Sequence, residues 1–226
     1  MLSLWTTLLP LALGSALVPM QIVVTVTLLR SPHGLAKALA WTSGMTSVRL
    51  LQGLIFGLIL APAQPDRSYS SGPGEVVSGI LLVVALVFYV TGLRQLFTHV
   101  DEDAPPPRWM AMLSSLTPAK AGALGFGMVV ISTKFWIFTL GAVGAIRDAH
   151  LGPIESLVDF LIFVAIAEAA HLILVGGMML SPDRFAGVLD RFSLWLQRSN
   201  RVIVLVLSLI FGTWMLLTGL TGLDII

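Results

Sequence analysis

Apolar residues form six long stretches along the chain, separated by segments rich in charged residues, proline and glycine. These stretches cover residues 4–29, 35–61, 76–98, 118–146, 153–180 and 202–222. Each one meets or exceeds the roughly 20 residues that a helix needs to cross about 30 Å of hydrocarbon. The pattern therefore predicts six membrane-spanning helices, of which the longer ones must tilt or bend.

Composition supports an integral membrane protein. Of the 226 residues, 56% are hydrophobic and only 11% are charged, whereas soluble domains carry about 25% charged residues. The first stretch lacks a basic leading segment and is too long for a signal peptide, so we expect a retained helix. There is no cysteine, which excludes thiol redox chemistry, thiolate metal sites and disulfides.

Lysine and arginine are distributed unevenly between alternate loops. The second and fourth loops contain only Arg67 and Arg147. The first, third and fifth loops contain Arg30, Lys37, Arg94, Arg108, Lys120, Arg184, Arg191, Arg198 and Arg201. Because basic loops stay in the cytoplasm, this bias predicts cytoplasmic odd-numbered loops and both termini outside.

The third loop divides the chain into two halves. Residues 100–117 combine an acidic run with three consecutive prolines, which is typical of an exposed linker. Residues 1–99 and 118–226 would then be three-helix repeats, and an odd number of helices makes the repeat inverted. Apolar residues at helical spacing predict a short amphipathic helix near 183–198, lying either on the cytoplasmic membrane surface or against the bundle.

The first and fourth stretches share a pattern that indicates broken helices. In both, a glycine precedes a potential break by five residues, and a polar side chain follows the break by two. The matching positions are Gly14, Pro19 and Gln21 in the first stretch and Gly127, Ser132 and Lys134 in the fourth. Pro19 removes a backbone donor, although kinked helices with a small-residue packing face would look the same.

Four ionisable side chains fall near the middle of predicted helices: Arg49, Lys134, Glu168 and His171. Charge buried in a membrane usually faces a cavity or a partner. We expect Arg49 to pair with Glu168 across the repeat, which leaves the positive charge of Lys134 in surplus. Pairing of Lys134 with Glu168 would instead leave Arg49 free. Either way the surplus favours a carboxylate, phosphate or sulfate, unless the pair serves packing alone.

The predicted binding site also includes polar neighbours of these groups, namely Gln21, Thr46, Ser132 and Thr133. Histidine is the side chain whose unperturbed pKa lies near neutral pH, so His171, one turn from Glu168, is a candidate for proton coupling together with that carboxylate; a structural hydrogen bond is the alternative. One glutamate and one histidine are too few for a metal site, and no Ser–His–Asp set occurs at a common depth. The sequence therefore predicts no enzyme and no cofactor or metal.

Several segments of the first half resemble one family. The run Leu9–Gly14, Pro19, the run Leu28–Pro32, Ala38–Ala40 and Gly44 are similar to the GAP family of peptidoglycolipid or sulfolipid addressing proteins, within the lysine-exporter superfamily. Related exporters often carry Asn-Pro-Lys in the fourth helix. The corresponding Ser132-Thr133-Lys134 keeps the lysine and lacks the proline.

The resemblance implies export or flipping of an envelope glycolipid, or its precursor, across the inner membrane of an actinobacterial type of cell. Together with the cationic site, it predicts a transporter or flippase that works by alternating access on an anionic lipid. The alternatives are an exporter of amino acids or other small solutes, and a non-transporting subunit of a lipid synthesis or export complex. Expected partners are the substrate, membrane lipids and a second copy or larger machinery, but no nucleic acid.

Overall fold

Helices form almost all of the protein that the structure, a computed structural model, describes: residues 2–60, 75–97 and 112–223, with residue 225. The helices longer than ten residues are α1 (Leu2–Ala16), α2 (Pro19–Leu29), α3 (Gly34–Leu60), α4 (Glu75–Phe97), α5 (Pro118–Ile131), α6 (Thr133–Asp148), α7 (Pro153–Ala167), α8 (Ala169–Leu180) and α9 (Pro182–Thr221). No strand occurs in these ranges. The predicted all-helical class is confirmed, and most of the predicted linker lies outside the described residues.

Three of the predicted helices are bent pairs. The axes turn by 50° between α1 and α2, by 70° between α5 and α6, and by 65° between α7 and α8. The first two bends lie next to Pro19 and at Ser132, where the sequence predicted breaks. The third lies at Glu168 and was not predicted, because neither proline nor glycine marks it.

Two helices are long and apolar enough to span a membrane as single helices. They contain the segments Val77–Gln95 of α4 and Arg201–Thr221 of α9. If each bent pair is also one span, the described residues contain up to five. The 27-residue helix α3 is not among these candidates.

Large apolar side chains cover the outside of the bundle. Leu58 of α3, Leu86 of α4, Ile154 of α7, Ile173 of α8 and Val202 of α9 are each at least 60% exposed. So much exposed aliphatic surface, on so many helices, is unusual for a soluble monomer. It suits contact with lipid.

The predicted amphipathic segment near 183–198 is part of α9. Helix α9 begins with Pro182, carries Asp183 in its first turn, and continues for 40 residues into the last apolar stretch. Its first half therefore extends the last membrane-length segment as one uninterrupted helix.

Glycines bring α3 and α5 into backbone contact. A Cβ atom at Gly44 would collide with the carbonyl oxygen of Gly122, and one at Gly125 would collide with the carbonyl oxygen of Trp41. Gly127, which the sequence pattern placed before the predicted break, has no atom within 4 Å of an added Cβ. The close approach therefore ends before Gly127.

Gly44→Ala should destabilise the fold by about 1–3 kcal/mol, because the added methyl group forces two helix backbones apart. Gly127→Ala is the matched control, since it makes the same change in open space and gains helix propensity. Thermal unfolding of both purified variants in detergent tests this expectation. Equal midpoints for the two variants would contradict the proposed backbone contact.

Candidate functional site

An ion pair joins α3 to the break between α7 and α8. Glu168 lies at that break, with its backbone N–H donating to the Val164 carbonyl over 3.0 Å. Because the helix changes direction here, its carboxylate reaches α3, where Arg49 Nε donates to Oε1 over 2.6 Å. Both side chains are at most 2% exposed. The structure thus pairs Glu168 with Arg49, the contact that we expected.

This ion pair belongs to a larger group of buried polar side chains, which we call the polar cluster. Its members come from α2, α3, α6 and the segment formed by the α7–α8 break and α8, and each is at most 1% exposed: Gln21, Thr25, Arg49, Gln52, Thr139, Glu168 and His171. The Thr139 hydroxyl donates to Gln52 Oε1 over 3.0 Å. Four separate chain segments therefore contribute to one polar interior.

Thr25 connects α2 to α8. Its Oγ1 lies 2.8 Å from His171 Nδ1 and 3.0 Å from the backbone carbonyl of Gln21, to which it can donate. A hydroxyl has one proton, so when Thr25 donates to that carbonyl, His171 Nδ1–H must be the donor to Thr25. The opposite ring nitrogen, Nε2, is then available to accept a proton.

Many atoms of the polar cluster have no hydrogen-bond partner in the described part of the chain. They are Gln21 Oε1 and Nε2, Arg49 Nη1 and Nη2, Gln52 Nε2, Glu168 Oε2 and His171 Nε2. Each unsatisfied buried group costs about 1–3 kcal/mol, and native proteins satisfy nearly all such groups. A concentration of them in one place indicates a site whose polar groups serve a ligand or water.

The chemistry of these unpartnered atoms favours an oxyanion. The two terminal nitrogens of Arg49 form a planar fork of N–H donors that matches carboxylate, phosphate or sulfate. The amide nitrogens of Gln21 and Gln52 add further donors nearby in the cluster. In the described ranges, no three His, Asp or Glu side chains are grouped as a metal site would require.

Lys134 lies outside the polar cluster. It lines a cavity of about 280 Å³ between the α1–α2 break, α4, α6 and α9, which we call the apolar cavity. The ring of Phe135 lies close to both cations, with its centroid 5.0 Å from Arg49 Cζ and 5.4 Å from Lys134 Nζ. The expected surplus positive charge therefore lines the apolar cavity, and one aromatic side chain lies against both this charge and the ion pair.

None of the remaining predicted site residues that the structure describes is in the polar cluster. Thr46 donates to a carbonyl one turn back along α3, over 2.9 Å, so its hydroxyl proton is already used. Ser132 is the half-buried residue between α5 and α6, and the side chain of Thr133 lies outside the described residues. Gly14 and Pro19 line the apolar cavity.

Sequence reasoning missed Thr25, Phe135 and Thr139. Thr25 follows Gln21 by four residues, so a polar stripe on α2 was visible, but threonine is common in membrane helices as a backbone hydrogen bonder. Thr139 Oγ1 also lies 3.0 Å from the Phe135 carbonyl, which is the alternative acceptor for its single proton and represents that ordinary role. Only the fold shows that Thr25 contacts His171, that Thr139 contacts Gln52 and that Phe135 lies against both cations.

The fold and the site define an all-helical protein with membrane-length helices that break around a buried ion pair and a polar cluster. The chain belongs to the family of Sap, the sulfolipid-1-addressing protein, whose family profile matches residues 8–221. The family resemblance noted in the sequence is thereby confirmed, while a place in the lysine-exporter superfamily remains a prediction. No curated protein and no solved structure matches the chain significantly.

Arg49→Gln and Glu168→Gln should each destabilise the protein by about 3–5 kcal/mol, because either change leaves an unpaired buried charge. The double variant should be more stable than either single variant, since it removes both charges together. Unfolding by heat or denaturant in detergent provides the measurement.

Arg147→Gln is the control for this cycle. Arg147 pairs with Asp148 at 2.8 Å, but its side chain is 31% exposed, so we expect a loss of about 1 kcal/mol or less. Additive losses in the Arg49/Glu168 double variant would show that the two side chains are not energetically coupled.

Proposed function

We propose that this protein moves an anionic envelope lipid, or a lipid precursor, across the inner membrane, and that the lipid head group binds in the polar cluster. The observation that carries the proposal is the Arg49 guanidinium. Its Nε is held by Glu168, while Nη1 and Nη2, fully buried, have no partner in the described residues. A positioned fork of donors in a buried polar interior is suited to a phosphate or sulfate group.

Family membership supports the lipid part of this proposal. The family is named for a sulfolipid-addressing protein, and a sulfated lipid carries the type of oxyanion that Arg49 would bind. The apolar cavity beside the cluster supports an amphiphilic substrate rather than a small polar solute. The residues of the polar cluster alone would serve an amino-acid carboxylate equally well.

The proposed architecture is six membrane helices in a 3+3 inverted repeat. The described residues contain up to five candidate spans when each bent pair counts as one span. Helix α3 has 27 residues, about 40 Å at 1.5 Å per residue, which is enough for a sixth. Helix α4 packs along α9, α3 along α5, and α1 along α7. A two-fold axis between the halves would exchange α3–α5 with α1–α7 and map α4–α9 onto itself.

Two unusual turns also support the repeat. Among the described residues other than glycine, only His33 and His150 have positive φ, of 56° and 50°. Such a conformation is uncommon. His33 lies between α2 and α3, and His150 lies between α6 and α7, so the two turns hold equivalent places in the two halves.

In this mechanism the polar cluster stays near the middle of the membrane while the bent helices rearrange around it. The ion pair links a helix of the first repeat to the broken helix of the second, so relative movement of the repeats would open the cluster to one side and then the other. Relocation of the head group is the transport step. The hydrocarbon chains of the substrate would remain in or beside the bilayer.

Transport can be tested with the protein in phosphatidylcholine liposomes that contain a trace of a fluorescent sulfated glycolipid. Bleaching by external dithionite reports movement between leaflets. Arg49→Lys keeps a cation for Glu168 but removes the guanidinium fork, so it should slow transport about tenfold, equivalent to about 1.4 kcal/mol. Arg147→Gln, which changes an arginine outside the cluster, should transport at the original rate.

Other outcomes would contradict the proposal in distinguishable ways. Counterflow of a labelled amino acid without lipid movement would identify a small-solute exporter. No movement of either probe by folded protein would favour a subunit that supports other export machinery. Equal movement of a neutral glycolipid would remove the proposed role of charge at Arg49.

A proton-coupling role for His171 gives a separate prediction. His171→Gln keeps a polar side chain but removes the titratable ring, so lipid movement should continue while its acceleration by a pH gradient is lost. Thr25→Val is the partner control, because it removes the hydrogen bond at Nδ1 and leaves the imidazole in place. Retained gradient dependence in His171→Gln would exclude this histidine as the proton carrier.

A further inference from the structure

The apolar cavity combines an apolar wall with a single cation. Phe88 is one of its lining residues, and its ring centroid is 6.0 Å from that of Phe138 of α6 and 6.0 Å from that of Phe211 of α9. Thr91, Gln95 and Ser208 are the uncharged polar residues among those that line it. Lys134 is the one charged residue among the described lining residues, and no carboxylate lies among them.

Lys134 is an exposed residue of α6, and an ammonium group exposed to the apolar interior of a membrane is costly without an anion. It lies in the first turn of α6, directly after the 70° bend and therefore near the middle of the proposed span. Within residues 2–60, 75–97 and 112–223, no carboxylate forms an ion pair with it. An uncompensated ammonium group at that depth is unfavourable, and such residues commonly mark ligand pathways.

The size of the cavity limits what can enter. Its volume of about 280 Å³ is near the lower end of the range of roughly 300–1,000 Å³ for small-molecule pockets. A cavity of this size accommodates part of one hydrocarbon chain rather than a whole two-chain lipid.

We propose that the apolar cavity is a second binding site, which takes one hydrocarbon chain of an anionic lipid and places its phosphate or sulfate group at Lys134. This inference rests on the proposed function for the identity of the occupant as a lipid. The chain lies against the phenylalanine wall, and the head group supplies the negative charge that the lining residues lack.

The location of Phe135 gives this second site a defined relation to the first. Its ring centroid is 5.4 Å from the Lys134 ammonium and 5.0 Å from the Arg49 guanidinium. A head group at Lys134 would therefore share an aromatic neighbour with the polar cluster. The cavity site holds the lipid before or after its head group occupies the cluster, with Phe135 next to both sites.

Equilibrium binding of radiolabelled lysophosphatidic acid to the protein in phosphatidylcholine nanodiscs tests the inference. The comparison probes are a monoacylglycerol of the same chain, which lacks the charge, and glycerol phosphate, which lacks the chain. We expect lysophosphatidic acid to bind about tenfold more tightly than the monoacylglycerol, as a charge-assisted contact provides. Glycerol phosphate should compete weakly.

Two pairs of variants locate the probe. Lys134→Gln should remove the preference for the charged lipid, and Lys134→Arg should retain it. Lys120→Gln, at the exposed start of α5, is the charge control.

Val87→Trp should fill the cavity and weaken binding about tenfold. Val83→Trp, one turn earlier on α4 and outside the lining residues, should leave binding unchanged. If Lys134→Gln fails to fold, the tryptophan pair and Lys134→Arg still decide the question.

The outcomes separate this inference from the proposed function. Unchanged binding in Val87→Trp, equal binding of the monoacylglycerol, or full competition by glycerol phosphate would each overturn the cavity site. Loss of binding in Arg49→Lys but not in the Lys134 variants would place the probe in the polar cluster, which overturns this inference and leaves the proposed function standing. Specific binding at the cavity without any lipid movement would support the cavity site and overturn the proposed transport function.

Discussion

The buried ion pair between Arg49 and Glu168 is the contact on which the arrangement of the bundle depends. A charge in an apolar interior must have a partner at hydrogen-bond distance, because desolvation otherwise exceeds any packing gain. Glu168 achieves this only because its helix breaks at that residue, which turns the carboxylate toward α3. Three features therefore act together to give each buried charge a partner: the continuous helix α3, the bend between α7 and α8, and the polar residues around them.

Backbone groups at the three bends have hydrogen-bond partners, whereas several side chains of the polar cluster do not. At each bend the backbone is at least partly satisfied locally: Leu17 N–H donates to the Leu13 carbonyl, Glu168 N–H to the Val164 carbonyl, and the Trp136 indole to the Val130 carbonyl over 2.8 Å. Backbone at membrane depth requires such partners. The side chains of the polar cluster, in contrast, keep donors without partners. Unsatisfied hydrogen-bonding capacity is thus concentrated in side chains, where a ligand can use it.

Sequence patterns predicted much of this protein because the membrane simplifies the problem. The length of the apolar stretches predicted the helices, and proline predicted the α1–α2 break. The requirement for a counter-ion predicted the pairing of Arg49 with Glu168. Proline and glycine patterns could not reveal the third break, since Glu168 itself occupies it. Nor could charge counting place Lys134 in a separate cavity. The location of its side chain depends on the direction of the 70° bend before α6, and only tertiary packing determines that direction.

The length of α9 gives the protein a mechanical property. Forty uninterrupted helical residues extend about 60 Å, roughly twice the hydrocarbon thickness of a bilayer. The 19 residues before Arg201 thus form a rigid arm of about 28 Å beyond the apolar segment. A tilt of about 10° at the lining of the apolar cavity would displace the end of this arm by roughly 5 Å. As a single rigid rod, α9 would turn a small tilt at the cavity lining into a larger displacement at its distant end, without a flexible joint.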